Sequence, residues 1–138
     1  MLVAVPLDLS PLEDALAQLD EGLQEAEHTL DSELLRDGVI QRFEYSHELA
    51  VKFIRRALEV VYGDPVDQMA YNDMLRTAGE RGLVTNVEGW FRYRTARNKT
   101  SHTYDAAVAA EVYRFARPFL RDALVFLDRL HAIHRSAA

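Results

Sequence analysis

The chain has 138 residues, of which 49% are hydrophobic and 28% charged, a balance that suits one globular domain with a real core and not a disordered tail. It has no cysteine, which excludes a disulfide scaffold, a thiol nucleophile and a cysteine zinc site. The net charge of −6 makes it a poor non-specific nucleic-acid binder, and no apolar run approaches the roughly 18 residues that a membrane span requires.

At the start, Leu2 to Leu7 is apolar but lacks a basic flank and a cleavage-type end. A signal peptide is therefore not expected, and the expected compartment is the cytoplasm. The run Ser10-Pro11-Leu12-Glu13 reads as a helix start. Ser10 can cap, Pro11 suits the first helical position, and Glu13 completes a capping box. Leu12, Leu16, Leu19, Leu23, Ala26 and Leu30 then recur at three- and four-residue spacing, which predicts an amphipathic helix ending near Ser32. Its outer face is acidic. Met1 to Leu35 holds nine acids and no Lys or Arg, whereas the rest of the chain holds all 16 basic residues against 13 acids. The acidic face is most simply a solvated one, and it could also dock a basic partner.

A second helix is predicted from about Asp37 to Tyr62, with Gly63 as its stop. Val39, Ile40, Phe43, His47, Val51, Ile54, Leu58 and Val61 or Tyr62 trace its inner stripe. Glu44 and His47 stand at i, i+3, so a metal pair is conceivable, but an interior or interface histidine is the simpler reading. Asp64-Pro65 marks a turn, and a shorter helix follows from about Gln68 to Arg81, with Gly82 as its C-cap.

Asn86 can cap a fourth helix from Val87 to about His102, and Asp105 a fifth that runs to about His134. Pro118 should kink or split the fifth. Val108, Val112, Phe115, Phe119, Leu124, Leu127 and Leu130 form its expected buried side. Trp90, Phe91 and Tyr93 read as core or dimer packing, with base stacking the minor alternative. His131 and His134 read as a frayed helix end. No useful β-alternation and no internal repeat is present. The expected fold is all-α, an antiparallel up-and-down bundle of four main helices plus a short one, in a single domain spanning residues 1–138.

The segment Arg97-Asn98-Lys99-Thr100-Ser101-His102-Thr103-Tyr104-Asp105 stands out chemically. Phe91, Thr95, Asn98 and His102 would share one stripe that begins apolar and ends polar. On a core-facing stripe the polar end would bridge or cap neighbouring helices. Arg97 and His102 lie about 140° apart on an ideal helix at 100° per residue. To serve one site, the helix must end or distort near Thr100, Arg97 must curl around the rim, or a second copy of the chain must complete the site.

This segment resembles the HEPN superfamily, in the branch described as nucleotidyltransferase substrate-binding proteins, also called HepT toxins. The motif Arg-x4-His-x-Tyr is matched by Arg97, His102 and Tyr104, with Asn98 after the arginine. The stretch Gly38 to Glu44, continuing through Tyr45 to Lys52, is similar to the same branch, so the likeness covers roughly Leu12 to Leu130. The resemblance implies a helical homodimer whose motif helices meet in a cleft. It also implies a metal-independent ribonuclease toxin with Arg97 and His102 catalytic and with no cofactor. The partner it implies is a nucleotidyltransferase antitoxin that transfers AMP to Tyr104.

The residue types suit that chemistry. RNA cleavage without a metal uses the ribose 2′-hydroxyl as nucleophile and needs a base or acid near neutral pH, a role that histidine fills. A planar guanidinium offsets charge on the phosphorane. Asn98 could orient His102 from one turn earlier, and Tyr104 could bind phosphate or stack on a base. Two other readings remain. One is a non-catalytic subunit that presents a nucleotide or Tyr104 to the nucleotidyltransferase. The other is a dimerisation module in which the motif is a buried polar network. Gly-rich phosphate loops and a nucleophile-elbow serine are both absent.

Overall fold

The computed structural model describes residues 7–29 and 31–137. Leu30 and most of the apolar N-terminal stretch therefore lie outside the described residues. Helix α1 spans Ser10–His28, α2 Glu33–Tyr62, α3 Tyr71–Glu80, α4 Val87–Asn98 and α5 Ala106–Ala137. Short 3-10 turns at Val66–Gln68 and Thr100–His102 precede α3 and follow α4. No strand occurs among the described residues, and the all-α expectation holds.

The helix ends follow local chemistry, with some shifts from expectation. Leu9, not Ser10, occupies the cap of α1 and makes no side-chain cap. The Ser10 amide donates to Asp8 Oδ1, so the expected capping box does not form. Pro11 sits in the first turn as expected. Ser32 closes no helix. It caps the next one, its hydroxyl accepting from the Leu35 amide at 3.1 Å, so α2 starts earlier than its apolar stripe suggested. Gly63 and Gly82 take left-handed conformations, φ +70° and +76°, that favour glycine at a helix stop. The third helix begins only at Tyr71, because the chain first makes the 3-10 turn after Pro65.

Helix α2 is the axis of the bundle and packs against α1, α3, α4 and α5. Leu12, Leu16, Leu19 and Leu23 of α1 and Val39, Phe43, Ile54 and Leu58 of α2 are fully buried. Each such side chain contributes about 1.5–3 kcal/mol by leaving water. Trp90 of α4 meets Phe119 and Phe126 of α5 edge-on, with ring centroids 5.8 and 6.3 Å apart. The core reading of Trp90 and Tyr93 is therefore correct, while Phe91 is only half-buried and lies under Arg76.

Two expectations for α5 and its neighbours need correction, and a third loses one of its two alternatives. Pro118 does not split the helix, which runs unbroken from Ala106 to Ala137. Leu124 is 44% exposed, and Ala116, Ala123 and Phe126 carry the buried stripe in its place. His131 is not at a frayed end: its Nε2 lies 3.3 Å from Glu13 of α1. Arg117 likewise reaches Glu27 and Asp20 at 2.5 and 3.9 Å, so part of the acidic face of α1 is engaged by α5.

Candidate functional site

Helix α4 stops at Asn98, midway through the motif, and the chain tightens into a 3-10 turn over Thr100–His102. Hydroxyls drive the change. Thr100 Oγ1 donates to the Arg97 carbonyl at 2.8 Å and Thr103 Oγ1 to the Thr100 carbonyl at 3.1 Å. Both satisfy backbone acceptors at the helix end. Asp105 then starts α5, its Oδ1 accepting from the Ala107 amide at 2.9 Å, as its cap role predicts. Lys99 Nζ pairs with Glu111 Oε1 at 2.7 Å and ties the turn to α5.

The fourth helix therefore ends before His102, not at it. The helix ends between Arg97 and His102, so the roughly 140° offset of an ideal helix does not apply to the pair. Asn98 makes no hydrogen bond to His102 among the described residues, because the helical register that would bring them together is lost after Asn98. The stripe expected to face the core also faces out. Thr95, Asn98 and His102 are exposed, and the buried face is Gly89, Trp90, Tyr93 and Ala96. The polar end of the motif thus forms no buried network within one chain.

His102 and Tyr104 lie together, ring centroids 6.1 Å apart and edge to face at 72°. Tyr104 is 87% exposed, the most exposed large hydrophobic side chain among the described residues. An aromatic ring left in water beside an exposed histidine is available to a ligand or a second protein. Arg97 belongs to the last turn of α4, where its charge complements the helix dipole. Its guanidinium approaches Glu48 Oε2 of α2 at 3.9 Å.

Beneath Arg97 is a feature that spacing alone did not show. A cavity of about 240 Å³ is lined by His47, Glu48, Lys52, Tyr71, Arg94 and Arg97, among others. His47 is buried, and its Nε2 has no hydrogen-bond partner, nor has the Tyr71 hydroxyl. Burial first, and then the charges of Arg97 and Arg94, push the His47 pKa down to about 4, so the ring is neutral near pH 7. Burial pushes the Tyr71 phenol up. No group of three or more histidine or carboxylate side chains that could hold a metal gathers among the described residues. His47, Arg97 and Asn98 stand out separately in the sequence, and only the fold joins them with Arg94 of α4 and Tyr71 of α3.

Helix α4 is seated on α5 by a separate polar contact. Tyr93 donates to Asp122, which also accepts from Asn86 Nδ2 at 3.0 Å. Asn86 in turn caps α4, its Oδ1 accepting from the Gly89 amide at 3.3 Å.

The described residues thus form a small five-helix protein with an exposed histidine–tyrosine pair just past the end of α4 and an arginine in the last turn of that helix. Residues 7–132 match the family described as nucleotidyltransferase substrate binding protein like, and the chain belongs to that family. A Haemophilus influenzae protein named probable ribonuclease HepT is 33% identical over 122 residues, covering 86% of this chain and 84% of its own length. A structure from the same organism, described as revealing the fold of a substrate binding domain of a nucleotidyltransferase, superposes with a TM-score of 0.81 at 30% identity. It covers 90% of this chain and 99% of the other. A crystal structure from Thermus thermophilus gives 0.74 at 30% identity, over 86% and 98% of the two chains. No helix of the described residues is long and apolar enough to cross a membrane.

Proposed function

We propose that this chain is a ribonuclease toxin of the HEPN type that works as a homodimer in the cytoplasm. The observation that carries the proposal is the exposed His102–Tyr104 pair just past the end of α4, whose last turn carries the half-buried Arg97. The name of the Haemophilus influenzae relative supports the same reading. In the reaction the 2′-hydroxyl attacks the adjacent phosphorus and the P–O5′ bond breaks. The products are a 2′,3′-cyclic phosphate and a 5′-hydroxyl. His102 takes the 2′-hydroxyl proton or gives one to the leaving oxygen, and the partner copy's equivalent group performs the other transfer. Arg97 offsets the charge that builds on the phosphorane oxygens. Every group the steps use is carried by the chain, so the cleavage needs no metal.

The nucleotidyltransferase partner fits as an antitoxin. The Tyr104 oxygen would attack the α-phosphorus of ATP and release pyrophosphate, which leaves AMP on the phenol. The Tyr104 ring stands 6.1 Å from that of His102, centroid to centroid, so AMP on it would bring bulk and negative charge near the base. RNA phosphate is then repelled.

RNA cleavage in the presence of EDTA tests the proposal, with wild type compared to His102→Ala at matched folding. Wild-type cleavage that leaves cyclic phosphate ends and vanishes in His102→Ala is expected. Undiminished cleavage by His102→Ala ends the proposal. The second reading is a non-catalytic subunit that offers Tyr104 or a nucleotide to the nucleotidyltransferase. The family description and that of the Haemophilus influenzae structure favour it. Partner-dependent labelling of Tyr104 from ATP, with no RNA ever cut, would decide for that reading.

A further inference from the structure

The cavity under Arg97 has the chemistry of an anion site. Lys52 of α2 and Arg94 and Arg97 of α4 line it, against one carboxylate, that of Glu48. Glu48 reaches Arg97 at 3.9 Å, and among the described residues neither Lys52 nor Arg94 has a carboxylate within ion-pair distance. Arg94 is held in place without being neutralised. Its guanidinium carbon stands 3.9 Å from the centroid of the Tyr71 ring. The interior adds His47, 4% exposed, with Nε2 unpartnered, and the Tyr71 hydroxyl, also unpartnered. Buried polar atoms of this kind normally find a partner.

Position identifies the ligand. Arg94 and Arg97 are three residues apart, so they rise about 4.5 Å along one face of α4. A strand whose scissile phosphate sits at Arg97 runs its neighbouring phosphate past Arg94. We infer that the cavity formed by His47, Lys52, Tyr71 and Arg94 is a second phosphodiester subsite, which grips single-stranded RNA one phosphate away from the bond that is cut. Arg94 and Lys52 supply charge, and His47 and Tyr71 supply hydrogen bonds to phosphate oxygen. This inference rests on the RNA-cleaving reading for the choice of ligand. The phosphates of a free nucleotide share the chemistry, and the test separates the two sources.

The test measures binding of a short, labelled 2′-O-methyl oligoribonucleotide, which has no free 2′-hydroxyl and cannot be cut. Wild type, Arg94→Gln, Lys52→Gln and Arg94→Lys are compared over a salt series, with folding matched by circular dichroism. Arg135→Gln, near the far end of α5 and about 45 Å along that helix from its start, controls for net charge. Arg94→Gln and Lys52→Gln are expected to weaken binding about tenfold and to flatten the log–log salt slope by about 0.7 each. Arg94→Lys should lie between Arg94→Gln and wild type, because it keeps charge and loses the planar fork. Arg135→Gln should match wild type. Unchanged affinity and slope in both Gln variants overturn the subsite, even if wild type proves a nuclease. Binding of ATP that depends on Arg94, with oligonucleotide binding that does not, overturns the RNA assignment. Arg94-dependent RNA binding by a chain that never cuts RNA sustains the subsite and removes only the nuclease reading.

Discussion

Tyr93 of α4 donates its phenolic hydrogen to Asp122 of α5, and both residues are buried. Burial and then this bond push the Tyr93 phenol well above its usual range, so the donor keeps its proton. Asp122 also holds Asn86, the cap of α4. One carboxylate thus fixes both the start and the middle of the helix that carries Arg97. Asp122→Ala is expected to cost about 2–4 kcal/mol, because it leaves a buried hydroxyl and an amide without partners. Urea denaturation measures it. A loss within about 0.5 kcal/mol would mean that the contact does not anchor the helix.

The motif residues should behave in the opposite way. His102 is exposed, so His102→Ala should change stability by no more than about 0.5 kcal/mol. Thermal melting of the variant checks this. A collapse of the fold would revive the buried-network reading of the motif.

His47 makes stability depend on pH with a definite sign. Its folded pKa of about 4 lies below the ordinary 6.5, so the unfolded chain takes up a proton first as the pH falls. Stability from this group is therefore complete above about 6.5, declines between 6.5 and 4, and is constant below 4. The loss approaches about 3 kcal/mol at the acid end. Denaturation at pH 7 and pH 4.5, for wild type and His47→Gln, isolates the effect from that of the carboxylates. Equal pH dependence in the two proteins would refute it.

Gly79 of α3 faces Val87, the first residue of α4. A Cβ at position 79 would stand 2.6 Å from Val87 Cγ2. Gly79→Ala should cost about 1–3 kcal/mol through that overlap, despite the better helix propensity of alanine. A variant more stable than wild type in urea would show that α3 and α4 part easily.

Pro118 removes one hydrogen bond from the middle of α5 without breaking the helix. Pro118→Ala restores the donor and should raise the melting temperature, worth about 1–3 kcal/mol. A lower melting temperature would mean that the proline ring itself is needed for packing.

Much of this architecture is legible in the sequence, because helix periodicity is a local signal. The leucines of α1 and the Val39-to-Leu58 stripe lie where their spacing puts them. Ends are harder. Ser32 can close one helix or open the next, and the hydroxyl bond to Leu35 decides only once the chain has turned. The end of α4 escapes a periodicity argument, because Thr100 and Thr103 compete for backbone carbonyls that a continuing helix would use. Leu124 has the spacing of a buried residue, yet alanines at 116 and 123 bring the neighbouring helices in on the other side. The candidate site is half visible. Arg97, Asn98, His102 and Tyr104 form one short run, but His47, Tyr71 and Arg94 belong to three helices, and only the folded bundle brings them together.

The turn from Asn98 to Asp105 is shaped mostly by bonds that span three residues or fewer. Its outline is therefore stored in the segment itself, with Lys99–Glu111 as a side-chain rivet to the scaffold. Exchange of one core aliphatic for another would pass unnoticed at Tyr104, whereas replacing a single threonine in the loop would not. Such a segment can keep its form while the bundle beneath it drifts, and it can be carried as a unit into a different helical host.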